Sequence, residues 1–237
     1  MVTMSDPTFG DLRANLAAVR ERMARAAERA GRRVDEVLLV AVSKTIPVDR
    51  VRAAIDAGVP ALGENRVQEA KEKVEAIGRV VPWHLIGHLQ TNKVRDALAC
   101  FDLVQSVDRL AVAEALSARA ARDARAVDAL VQVNVGEEPQ KGGFSPAELP
   151  AALETLTRLP GLRLRGLMTI PPVPRDAEES RPHYREMWKL LEAAGGWGLG
   201  AEFRELSMGM SGDFEVAIEE GATIVRVGTA IFGPRER

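Results

Sequence analysis

Apolar and polar positions along the chain follow two alternating rhythms. Short apolar runs rich in β-branched residues suit strands buried on both faces. Between them, apolar positions recur every three or four residues, as on an amphipathic helix. The runs begin near Val37, Ala61, Trp83, Asp102, Ala129, Leu162, Glu205 and Ile224. Helices are predicted between them at Val48–Ala57, Val67–Ile77, Asn92–Ala99, Leu110–Arg122, Pro146–Leu156, Ala177–Ala194 and Gly212–Glu219. A further helix is predicted ahead of them, over Phe9–Ala30, with Leu12, Leu16, Val19, Met23 and Ala27 on one face. Thr8 and Asp11 resemble a capping box at its start, and Gly31 stops it.

Eight strands alternating with helices imply right-handed crossovers and a parallel sheet. Such a sheet is either open and doubly wound or closed into a barrel. The 237 residues match the ~250 typical of the barrel. The expectation is therefore an α/β chain with a single (β/α)8 TIM barrel over residues 37–233, preceded by a helix and lead-in over 1–36. Pro171–Pro174 and Gly195–Gly200 fall inside junctions between elements, so no linker divides the chain.

Composition narrows the function classes. A formal net charge of −2 gives no electrostatic reason to expect nucleic acid or an anionic membrane. Aromatics at 4% provide few stacking platforms for bases. A single cysteine, Cys100, excludes an intrachain disulfide and a thiolate metal cluster. No run reaches the ~20 apolar residues of a membrane helix, and the N-terminus lacks the apolar core of a secretory signal. The expected compartment is the cytoplasm.

Unusual polar residues gather where the predicted strands end, which is where barrels of this kind collect functional groups. The first strand runs V-L-L-V-A-V-S-K and stops at Ser43-Lys44, in a chain of 6 lysines and 26 arginines. A strand-end lysine is either one that snorkels to water or an amine desolvated enough to condense with an aldehyde. The second strand ends at Gly63-Glu64-Asn65, the third passes through His84 and His88, and the sixth ends at Met168-Thr169. The seventh leads into Ser207-Met208-Gly209-Met210-Ser211, and the eighth gives Arg226-Val227-Gly228-Thr229. These last two glycine- and hydroxyl-bearing loops suit a phosphate, and they follow the two strands after which barrels often place one. Strand alternation puts Arg226 inside the barrel, where it requires an acceptor. A structural ion pair with Glu64 is the plain alternative. The histidines lack a third ligand at metal spacing, so no metal site is expected.

Several runs resemble those of the pyridoxal phosphate homeostasis protein family. They are V-S-K-T at Val42–Thr45, G-E-N-R-V-Q-E at Gly63–Glu69 and W-H-L-I-G-H-L-Q-T-N-K at Trp83–Lys93. Further along come G-L-M-T-I-P at Gly166–Pro171, S-M-G-M-S at Ser207–Ser211 and V-R-V-G-T-A-I-F-G at Val225–Gly233. Arg66 departs from the pattern, since many relatives carry tyrosine there. The resemblance implies a barrel like the N-terminal domain of alanine racemase, with pyridoxal 5′-phosphate held as a Schiff base on Lys44. It implies that Ser207, Ser211, Gly228 and Thr229 hold the phosphate and that Arg226 faces the pyridine nitrogen. Asn65 is then near the ring, Met208 and Gly209 complete the loop, and His84 and Met168 form walls.

Two functions are compatible with that reading. One is a non-catalytic carrier that buffers the cofactor and passes it to apo-enzymes in transient contacts. The other is a small amino-acid racemase dependent on the same cofactor. A cationic arginine at the ring nitrogen disfavours its protonation and so weakens the electron sink. The chain ends soon after its eighth unit, and Tyr184, its only tyrosine, falls in a helical segment. Both observations favour the carrier, expected as a monomer. A barrel enzyme with a phosphorylated substrate and no cofactor is a third class.

Overall fold

The first apolar run forms β1 (Leu38–Val42), whose side chains are buried on both faces except at Leu38. The computed structural model describes residues 12–234. Seven more strands follow: β2 (Ala61–Glu64), β3 (Trp83–Leu85), β4 (Leu103–Val107), β5 (Val127–Val133), β6 (Leu162–Thr169), β7 (Glu205–Ser207) and β8 (Ile224–Val227). All neighbours pair in parallel, and β1 bonds to both β2 and β8, so the sheet closes into the expected barrel. Each strand begins within two residues of its predicted start.

The helices are α1 (Leu12–Arg29), α2 (Val48–Asp56), α3 (Val67–Ile77), α4 (Val94–Cys100), α5 (Leu110–Arg122), α6 (Leu149–Leu156), α7 (Arg181–Ala194), α8 (Phe214–Glu219) and α9 (Thr229–Phe232). The segments predicted to open helices at Asn92 and Ala177 start as 3-10 turns, Thr91–Lys93 and Ala177–Ser180. Helix α6 starts later than predicted, because Ser145 and Glu148 close a turn on each other ahead of it. The run from Gly228 to Gly233 was not predicted as a helix; its apolar residues follow a strand without a break, and it forms the single turn of α9. The proposed capping box at Thr8 and Asp11 lies outside the described residues.

Strand alternation divides the apolar side chains into two sets. Val40, Ala61, Leu130, Met168 and Ile224 meet inside the barrel and plug its middle. Their outward neighbours, such as Leu39, Leu62, Val131, Leu167 and Val225, join the helices in one large core. Helix α1 is the addition to the eight-unit plan. Arginines tie it to α8: Arg22 pairs with Glu215 at 2.7 Å and sits 4.5 Å over the Phe214 ring, and Arg29 pairs with Glu219 at 2.7 Å. Among the described residues, no helix is long and apolar enough to cross a membrane.

One glycine is forced by this closure. Gly166 lies beside a register shift between β5 and β6 with φ of 153°, and a Cβ there would meet the Glu205 carbonyl oxygen at 1.8 Å. Gly166→Ala must therefore push β6 from β7. Urea unfolding is expected to show a loss of about 3 kcal/mol; an unchanged midpoint would contradict this close approach.

Candidate functional site at the mouth of the barrel

Lys44 follows β1 at the carboxyl end of the barrel, and the chain turns sharply there. Thr45 has φ of 65°, a left-handed conformation that costs energy for a side chain branched at Cβ. What holds it is a buried ionic knot behind the strand. Lys73 Nζ donates to the Ser43 carbonyl at 2.6 Å, to Glu64 Oε1 at 2.6 Å and to Glu69 Oε1 at 2.7 Å. Ser43 Oγ donates to the same Glu64 oxygen at 2.7 Å, and Thr45 N–H donates to Glu69 Oε1 at 2.5 Å. The ammonium thus fixes the peptide on one side of Lys44, and its partner carboxylate fixes the other.

Glu64 consequently faces outward, towards α3, and does not pair with Arg226. Its second oxygen, Oε2, is buried without a hydrogen bond. Burial raises the carboxyl's pKa, and the opposing charge of Lys73 pulls it back.

Inside the barrel, Arg226 is 3% exposed. Its Nη1 donates to Ser207 Oγ at 2.6 Å and its Nη2 to the Thr169 carbonyl at 2.7 Å. Ser207 Oγ donates to Gln105 Oε1 at 2.6 Å, and Gln105 Nε2 lies 2.8 Å from His84 Nδ1. Every link runs in one direction, so His84 Nδ1 accepts and the imidazole proton belongs on Nε2. Burial pulls the Arg226 pKa down to about 10, with Tyr184 and Asp213 opposing the fall. The group stays cationic at neutral pH, and its direct partners among the described residues are neutral oxygens.

A cavity of about 250 Å³ opens above this arginine. Six residues singled out from the sequence line it: Lys44, Asn65, Ser211, Arg226, Gly228 and Thr229. Val42, Ile86, Ile170, Met210 and Gly212 complete the wall. Ser211 Oγ accepts from Gly228 N–H at 3.2 Å and Ala230 N–H at 3.3 Å, joining the loops after β7 and β8. Asn65 Oδ1 is buried without a hydrogen-bond partner.

The other five residues do not line the cavity. Met168 belongs to the apolar plug beneath it. Ser207 is one layer deeper than a phosphate-binding hydroxyl, committed to Arg226 and Gln105. Met208 alternates with Ser207 and points outward into the helical core. Gly209, at φ of 91°, instead lets the loop lie on α8: a Cβ would meet Ala217 Cβ at 2.5 Å. His84 reaches the opposite end of the barrel, where it lines a separate cavity.

Three residues that organise the site were not singled out from sequence. Asp213 anchors the loop after β7, accepting from Met210 N–H at 2.7 Å, Ser180 Oγ at 2.9 Å and Tyr184 OH at 2.7 Å. Lys73 falls in step with Val67 and Ala70 on the buried face of α3; a charge at that position in the helical period was the available signal. Gln105 shares the inward parity of β4, and a polar residue there likewise marks an interior network.

These features define a closed (β/α)8 barrel whose mouth presents one lysine and one buried arginine to a small cavity. The alanine racemase N-terminal domain family model matches residues 14–236. The chain belongs to the pyridoxal phosphate homeostasis protein family. It is 43% identical over 226 residues to the Aquifex aeolicus protein of that name, covering 93% of this chain and 97% of that one. The solved structure of PipY from Synechococcus elongatus with pyridoxal phosphate bound is 37% identical, with a TM-score of 0.79 over 94% of this chain and 100% of its own. Alanine racemase from Clostridium difficile shares the fold alone, at 18% identity and a TM-score of 0.71, over 99% of this chain and 61% of the racemase.

Removing the ammonium while leaving its carboxylates tests the knot. Lys73→Met strands Glu64 in the core and is expected to cost about 3–5 kcal/mol in urea unfolding at pH 8. A carboxyl whose native pKa lies above its unfolded value binds its proton more tightly in the native state, so stability falls as pH rises through that window. The deficit of Lys73→Met is therefore expected to shrink between pH 8 and pH 5. A deficit that grows on acidification would contradict the assignment.

Proposed function

We propose that this protein carries pyridoxal 5′-phosphate at the barrel mouth and buffers its supply without catalytic turnover. The observation that carries the reading is Arg226. A buried guanidinium with no carboxylate in contact calls for a further acceptor, and the pyridine nitrogen of this cofactor, unprotonated, is one. The residues present fit the group in other respects. Ser211, Gly212, Gly228 and Thr229 supply hydroxyls and close-lying backbone for a phosphate, and Asn65, whose Oδ1 is buried without a hydrogen-bond partner, lines the same cavity. The cofactor, when bound, supplies an aldehyde for reversible Schiff-base exchange with amines.

Within that reading, Lys44 is the covalent anchor, and the Lys73 knot fixes the peptides on either side of it. Arg226 binds the ring nitrogen and withholds a proton from it, because a second positive charge beside a guanidinium is disfavoured. Turnover of an amino acid needs a second group to move a proton. The titratable lining of the cavity, among the described residues, is Lys44 and Arg226. Tyr184 is no substitute: its hydroxyl is buried against Asp213, and burial together with that carboxylate raises its pKa far above the ordinary tyrosine value. A monomer in the cytoplasm that yields its cofactor to apo-enzymes in transient contacts accords with this chemistry.

The purified protein is expected to show a visible Schiff-base absorbance band that Lys44→Ala abolishes. A colourless wild type that cannot be reconstituted with the cofactor would sink the reading. Chiral analysis after incubation with L- or D-amino acids is expected to find no steady racemisation; enzyme-like rates would overturn the carrier role alone. Arg226→Glu is expected to shift the band or weaken cofactor affinity, and an unchanged spectrum with unchanged affinity would remove Arg226 from the ring.

A further inference from the structure

A second, larger cavity lies at the other end of the barrel. About 780 Å³ opens at the amino-terminal ends of the strands, flanked by α1 and the segment Val34–Val37. That volume lies in the range of small-molecule sites. Leu38, Leu103 and Ile224 give it an apolar floor. His84 reaches into it from β3, 4% exposed. Because Nδ1 accepts from Gln105, the proton is on Nε2, and among the described residues that N–H has no hydrogen-bond acceptor.

The opposite wall has the complementary group. Glu205 opens β7, across an eight-stranded barrel from β3. Its Oε2 accepts from Thr223 Oγ at 2.7 Å, and the nearest cation, Arg204 Nε, is 3.9 Å from its other oxygen. The carboxylate is 32% exposed. The lining as a whole holds five carboxylates and two guanidiniums. Both guanidiniums are engaged: Arg165 with Asp128 and Glu202, and Arg20 with the Gly58 carbonyl. Four of the carboxylates are paired as well, Asp35 with Arg33, Glu36 with Arg32, Asp102 with Arg79 and Asp128 with Arg163. The lining thus offers an anion no uncommitted guanidinium, whereas a cation finds Glu205 without a close one.

We propose that this cup is a second ligand site, for a small organic cation with an apolar body and an oxygen acceptor. The cationic nitrogen sits against Glu205, the body on Leu38, Leu103 and Ile224, and the oxygen on the His84 Nε2–H. Its chemistry is opposite in sign to that of the mouth, so the two ends of one barrel select different ligands.

N,N-dimethyltyramine is a suitable probe: as a tertiary amine it forms no imine, so the result does not depend on what Lys44 holds. Calorimetry on the whole protein compares it with 4-ethylphenol, which lacks the charge, and 4-hydroxyphenylacetate, which reverses it. The amine is expected to saturate one site about tenfold more tightly than 4-ethylphenol, with no binding of the anion. Its addition is expected to shift the side-chain 15N resonances of His84. Glu205→Gln, which keeps an acceptor for Thr223, is expected to lower amine affinity about tenfold and leave 4-ethylphenol unaffected. Equal binding of the three probes, an unmoved His84 resonance at saturation, or unchanged amine affinity in folded Glu205→Gln would each overturn the proposal.

Discussion

The barrel interior is arranged around a single buried charge. Arg226 keeps its proton at neutral pH and, among the described residues, has no carboxylate in contact. Its field is met by dipoles, the Thr169 carbonyl and the Ser207 hydroxyl, and passed on to Gln105 and His84. Hydrogen bonds of one sense polarise each other, so the row is worth more than its separate links. The price is paid in specificity: replacing any member by an apolar residue leaves a partner unsatisfied in a place water reaches poorly. That constraint explains why Ser207 is unavailable to the mouth and why polar side chains interrupt an otherwise apolar plug.

The mouth is built from behind as much as from within. Lys44 is placed by groups that never enter the cavity: Lys73 on the Ser43 carbonyl, Glu69 on the Thr45 amide, and Glu64 completing the ion pair. Across from it, Asp213 collects Ser180, Tyr184 and Met210, binding α7 and the loop after β7 into one unit. Both supports lie on the helical side of the sheet, where packing is dense and rotamers are restricted.

The strand layout was legible because parallel barrel strands are apolar on both faces, and that signal survives without knowledge of contacts. The position of Arg226 followed from alternation with Gly228. Depth did not. Ser207 and Ser211 are equivalent in a motif, yet one lies below the arginine and the other at the rim, because β7 ends between them. His84 shares strand parity with residues facing the interior, but parity does not say which end of the barrel a side chain reaches. The partner of Glu64 was missed for a related reason. Its alternation points it outward to a lysine nine residues on, and only the packing of α3 against β2 brings them together.

The ionic knot behind β1 also bears on reactivity. An ammonium that donates to three oxygens has all its protons in use and no lone pair to offer an electrophile. Lys73 is therefore silent towards aldehydes although its nitrogen lies 2.6 Å from the carbonyl that precedes Lys44. Two lysines flank one strand end, and its three hydrogen bonds mark Lys73 as the structural cation of the two.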